Sequence, residues 1–156
     1  MQLPREVVVG NNTLDSIGDI CKRLGFSESA LIVMGPKTRE IAGQKVTDLL
    51  DDDGINVACY VAASSNLQDI KAVEEKFSET KVVLGIGGGT KIDVAKLSSA
   101  NKDVSFMSVP TTASHDGIAS PLVSLKGLDK PYSVMAQSPM AIVADTSVII
   151  KSSHCF

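Results

Sequence analysis

Tryptophan is absent and aromatic residues make up only 4% of the 156-residue chain. Cysteine is scarce too. Three residues, Cys21, Cys59 and Cys155, form an odd set with no metal-type spacing. That excludes a disulfide-built scaffold and reads as reduced thiols of a cytoplasmic protein. There is no excess of basic charge, since 15 Lys and Arg face 18 Asp and Glu, giving a net charge of −3. A nucleic-acid-binding surface would normally be basic, so no nucleic-acid partner is expected. No apolar run approaches the roughly 20 residues that span a bilayer, and no membrane insertion is expected. The opening MQLPREVVVG lacks the apolar core of a signal peptide. A soluble, globular class remains, and the length suits about one domain with a real core.

What the sequence does have is alternation. EVVVG (Glu6–Gly10) reads as a strand, and Thr13–Leu24 places Leu14, Ile17, Ile20, Cys21 and Leu24 on one helical face. ALIVMG (Ala30–Gly35) is a continuous apolar run, as in a strand buried on both faces. A helix over about Thr38–Leu50 follows, ended by DDDG (Asp51–Gly54), and then a third strand, INVACYVA. Asn66 reads as the N-cap of a helix carrying Leu67, Ile70, Val73 and Phe77. KVVLGIG gives a fourth strand and Val104–Pro110 a fifth. Leu122–Leu125, Tyr132–Met135 and Ala141–Ala144 read as short strands or a hairpin. Such alternation predicts an α/β fold, a Rossmann-like parallel sheet with helices on both faces, over residues 1–150. Ligands of such sheets bind at the carboxyl ends of the strands.

At that edge stands GIGGGTKIDVAK (Gly85–Lys96). Three glycines in a row cost conformational entropy, so the backbone must turn sharply there or lie against something bulky. The stretch fits neither common phosphate motif. GxGxxG needs a glycine where Thr90 stands, and GxxxxGK needs Ser or Thr where Ile92 stands. The physics of anion binding holds all the same: glycines admit backbone N–H groups to a phosphate, and the following helix points its positive end at it. Gly87, Gly88, Gly89 and Thr90 are the candidate cradle, against the plainer reading of a tight strand-to-helix turn. Asp93, one turn into the helix, would repel an anion and is expected to face a ribose, an amide or the loop backbone.

The loop after the fifth strand, SVPTTASHDGIASP (Ser108–Pro121), is rich in small hydroxyl residues suited to surrounding a polar ligand. Adjacent Ser114, His115 and Asp116 are not a catalytic triad, which is defined by geometry rather than sequence neighbourhood. Asp116 is either a carboxylate of the site or the end of a turn before Gly117.

Together these two segments resemble the sn-glycerol-1-phosphate dehydrogenases, within the wider group of iron-type alcohol dehydrogenases, glycerol dehydrogenases and dehydroquinate synthases. GGG-x-x-x-D is shared by the group, and PTTASHDG with the following ASP is the more specific part. The likeness runs from about Arg5 to about Lys151, with PMAIVADT (Pro139–Thr146) fitting the strand that closes the domain. The resemblance implies an enzyme of archaeal membrane-lipid synthesis that reduces dihydroxyacetone phosphate to sn-glycerol 1-phosphate with NADH or NADPH, and that assembles as a homo-oligomer when complete. It implies that Gly87, Gly88, Gly89 and Thr90 hold the cofactor pyrophosphate, with Asp93 in the same site. Thr111, Thr112 and Ser114 would line the nicotinamide side, Ser120 would touch cofactor, and Asp116 would contact substrate. Zinc would polarise the carbonyl as a Lewis acid.

The second strand ends MGPKTRE, with Lys37 and Arg39 and no early carboxylate to repel a 2′-phosphate, so NADPH is expected to be accepted along with NADH. The family pattern stops near Lys151, and residues 151–156 read as a divergent tail. The family's metal ligands belong to a helical C-terminal domain, which this chain is expected to lack, so no metal ligand is assigned here. His154 and Cys155 alone make a poor site. Three alternatives follow: a non-catalytic nucleotide-binding module, a glycerol dehydrogenase, or a dehydroquinate synthase, the last lacking expected basic residues in the second loop.

Overall fold

The structure, a computed structural model, describes residues 4–62, 66–112, 122–125 and 132–153. Six strands form one parallel sheet in the order β1-β8-β5-β4-β2-β3. They are β1 (Glu6–Gly10), β2 (Ser29–Met34), β3 (Asn56–Val61), β4 (Val82–Gly87), β5 (Ser105–Pro110) and β8 (Ala141–Asp145). Between β5 and β8 the chain makes an antiparallel hairpin of β6 (Leu122–Leu125) and β7 (Tyr132–Met135). The three short apolar segments therefore split: two form the hairpin and the last joins the main sheet.

Helices fill the crossovers. A 3-10 turn (Thr13–Ser16) leads into α1 (Ile17–Arg23). After β2, α2 (Pro36–Thr38) passes through a π-helical turn (Arg39–Gly43) into α3 (Gln44–Asp52). The remainder are α4 (Leu67–Glu75), α5 (Gly89–Asn101) and α6 (Thr146–Ser153). Helix α6 runs three residues past the boundary that the sequence suggests at 150. Asn66 caps α4, its side chain accepting the Asp69 N–H at 2.9 Å, as the sequence predicts.

Right-handed crossovers place connections running toward β3 on one face of the sheet and those running toward β8 on the other. Two separate cores agree. On one face Ile32, Met34, Leu84, Ile86 and Met107 pack against Ile17, Ile20, Val46 and Leu50. On the other, Leu31, Val33, Val83 and Phe106 pack against Ile70, Val73, Ile92 and Ala95. Alternate residues of β2 and β4 enter opposite cores, which is why both strands read as unbroken apolar runs.

Candidate functional site

The chain leaves β2 for the helices of one face and leaves β4 for α5 on the other. Neighbouring strands whose helices diverge in this way open a crevice at their carboxyl ends, where ligands of doubly wound sheets bind. Here the crevice lies between Gly35, after β2, and Gly87–Gly89, at the end of β4. The glycine loop follows the fourth strand in sequence. Yet β4 is an inner strand of the sheet, with the place that a fingerprint strand needs.

The glycines here differ in what the structure asks of them. Gly87 has φ +147°, a conformation that side-chain-bearing residues rarely adopt. Gly85, two residues earlier, lets α5 seat on the strand: a Cβ there would lie 2.9 Å from Ala95 Cβ and 3.2 Å from Ile92 Cα. Gly88 is different. It has an ordinary φ of −84° as the N-cap of α5, and the nearest atom to a Cβ there would be Thr112 Cγ2 at 3.9 Å. A glycine with open space over it, at the start of a 13-residue helix with no side-chain cap, leaves room for an anion to approach first-turn N–H groups.

The far wall comes from β5. Thr111 is buried at 1% exposure, and its N–H donates to the Gly87 carbonyl at 3.0 Å. The near wall is the β2–α2 turn, which Thr38 pins: its Oγ1 accepts the Gly35 N–H at 2.7 Å and donates to the Gly35 carbonyl at 3.2 Å. From there a groove of about 600 Å³ opens, lined by Pro36, Arg39, Glu40, Gln44 and Val61.

These features fit a dinucleotide, with the pyrophosphate at the helix N-terminus and the adenosine end in the groove beside β2. Residues 8–152 match the iron-containing alcohol dehydrogenase family. The chain belongs to that family.

Among curated proteins, glycerol-1-phosphate dehydrogenase [NAD(P)+] of Methanosarcina acetivorans is 45% identical over 151 residues, 96% of this chain and 42% of its own length. The protein of the same name from Pyrococcus furiosus is 42% identical over 151 residues, covering 96% of this chain and 43% of its own. The chain thus spans less than half the length of these relatives. Among solved structures, glycerol dehydrogenase from Schizosaccharomyces pombe superposes with a TM-score of 0.87 at 24% identity, covering 96% of this chain and 39% of its own. An iron-containing alcohol dehydrogenase from Thermotoga maritima superposes with 0.82 at 20% identity, over 96% and 48%. These two show the fold.

Of the residues singled out from sequence, the family fold brings together Gly87, Gly88, Gly89, Thr90, Thr111 and Thr112 at one edge. Ser114, Asp116 and Ser120 lie outside the described residues, as do His115, His154 and Cys155. Asp93 lies one turn into α5, as expected from the sequence, and is buried at 5% exposure. It acts electrostatically on Lys96, which is fully buried one turn on. Burial pushes the Lys96 ammonium below its usual pKa, and the Asp93 charge opposes that shift. Ser108, at the start of the hydroxyl-rich loop, is buried in β5, and its Oγ has no hydrogen-bond partner among the described residues.

Two features of this edge went unmarked in the sequence. One is Lys91, whose side chain lies against Gly35 and Gly87. The other is Asp145, at the end of β8 and 2% exposed. Its carboxylate accepts N–H groups from Asn12 at 3.1 Å, Leu14 at 3.1 Å and Ser147 at 2.9 Å, and the Ser147 hydroxyl as well. Burial alone would raise its pKa, but these bonds outweigh it and hold the carboxyl below the ordinary value. A carboxylate at the end of a short strand, followed by Thr-Ser, was the available signal.

Proposed function

We propose that this chain forms the NAD(P)-binding part of a glycerol-1-phosphate dehydrogenase. In this reading the natural enzyme reduces dihydroxyacetone phosphate to sn-glycerol 1-phosphate in the cytoplasm, supplying the backbone of archaeal membrane lipids. The observation that carries it is the open Gly88 at the uncapped start of α5, at the crevice between β2 and β4, in a chain 45% identical to a protein of that name. The bound nicotinamide supplies hydride. Gly87 turns the chain, Gly88 admits the pyrophosphate, and Gly89 and Thr90 present first-turn N–H groups to it. Thr111 and Thr112 flank the nicotinamide side; for Ser114 and Ser120 the role of cofactor contacts, and for Asp116 that of a substrate contact, rest on the family motif. Asp93, one turn into α5, belongs to the same cofactor site.

Among the described residues no three His, Cys, Asp or Glu side chains cluster to hold a metal. In this reading zinc would polarise the substrate carbonyl as a Lewis acid. No helix among the described residues is long and apolar enough to cross a membrane. The family likeness is what supports a cytoplasmic enzyme that assembles as a homo-oligomer when complete.

The test is a substrate panel on the natural full-length protein, with zinc supplied, following NADH and NADPH oxidation. Dihydroxyacetone phosphate should be reduced at least 100-fold more efficiently than dihydroxyacetone, because the phosphate is charged and makes charge-assisted hydrogen bonds. Preference for dihydroxyacetone or glycerol would assign a glycerol dehydrogenase instead. Nucleotide binding with no turnover of any of these would leave a binding module.

A further inference from the structure

The lysine next to the glycine turn spans the crevice. Lys91 begins on the first turn of α5, and its stem passes between two glycines. A Cβ at Gly87 would lie 2.9 Å from Lys91 Cγ and 3.1 Å from Lys91 Cβ. A Cβ at Gly35 would overlap Lys91 Cε and lie 3.4 Å from Lys91 Nζ. The side chain thus runs from the β4 edge to the end of β2, and its ammonium arrives at the β2–α2 turn.

That place has a defined role in dinucleotide-binding sheets. The strand beside the glycine-loop strand ends in an acidic residue that accepts the adenosine ribose hydroxyls and repels a 2′-phosphate. Here β2 is that strand, and it ends Met34-Gly35-Pro36 with no carboxylate. The charged group delivered to its end is an ammonium from another element. Lys37 is exposed on α2, on a turn that Thr38 holds through Gly35. Glu40 lines the adjoining groove together with Arg39.

Resting on the dinucleotide reading above, we infer that Lys91 is the residue that sets cofactor choice, its ammonium reaching across the crevice to the 2′-phosphate of NADPH. Gly35 and Gly87, having no side chains, leave the lysine room to pass between them. The site is then cationic at the ribose although β2 itself supplies no charge.

The experiment uses the natural full-length protein and measures dissociation constants for NADPH, NADH, 2′,5′-ADP and 5′-AMP. Lys91→Met keeps the stem between the glycines and removes the charge; Lys91→Arg keeps the charge. Lys91→Met should weaken NADPH at least tenfold more than NADH, and 2′,5′-ADP at least tenfold more than 5′-AMP, the scale of one charge-assisted phosphate contact. Lys91→Arg should keep most of the preference. Equal weakening of all four would make Lys91 a pyrophosphate or packing residue and overturn the inference. So would an unchanged ratio in Lys91→Met, or the whole effect appearing in Lys37→Glu with Lys91 intact. A wild-type protein that binds none of the four overturns the dinucleotide reading itself, a separate and distinguishable failure.

Discussion

Asp145 holds together what the sequence leaves far apart. Its carboxylate collects the N–H groups of Asn12 and Leu14, more than 130 residues away, and those of the turn into α6. Asp145→Ala would orphan these donors in a site that is 2% exposed, costing roughly 2–4 kcal/mol, readable as a lower midpoint in urea unfolding. The group also predicts a pH dependence. Its native pKa lies below the 3.8 of a free aspartate, so the native state takes up this proton less readily than the unfolded chain. The stabilisation is therefore full above about pH 5 and drains away as pH falls through the native value. Asp145→Asn should flatten that part of the stability profile; an unchanged profile would remove Asp145 as its source. The sequence offered only a weak sign of this hub, because hydrogen bonds across such separations leave no local pattern. Gly87 is the opposite case: a glycine run after an apolar strand is visible without any structure, and φ +147° is its reason.

Among the elements, strands β2 and β4 were the most legible, being apolar throughout and closed by glycine. Helix α5 was harder. It is buried on most sides, so Asp93, Lys96, Ser98 and Ser99 lie inside the protein and blur the helical period. The two serines satisfy themselves within the helix, Ser98 Oγ donating to the Val94 carbonyl at 2.7 Å and Ser99 Oγ to that of Lys96 at 2.8 Å. Gly85 sets how closely α5 sits on β4. Gly85→Ala would press on Ala95, on the Ile92 backbone and on Phe106, pushing the helix off the sheet. The expected cost is about 1–3 kcal/mol, with weaker NAD(P)H binding because the helix start moves with it. Calorimetry and cofactor titration on one preparation would check both. A stable variant with wild-type binding would show that α5 tolerates the shift.

At the scale of the whole molecule, strand and helix order in the sequence was enough to predict a parallel sheet with helices on both faces. It was not enough to place the strands. β1 lies at one edge beside β8 while β2 lies beside β3 at the other end, and only that order puts the fourth strand where a fingerprint loop must be. The place of Lys91 is invisible in the sequence for the same reason, since it depends on Gly35, which is 56 positions away in the chain but lies against its side chain across the crevice. In the proposed function the crevice between β2 and β4 holds the cofactor pyrophosphate against Gly88. The most direct measurement is NADH and NADPH titration of Gly88→Val in the natural protein, beside its thermal unfolding. With a φ of −84° and nothing nearer than 3.9 Å to its Cβ, the variant should unfold at the wild-type temperature yet bind both cofactors at least tenfold more weakly. A folded variant that binds them as well as wild type would contradict the account.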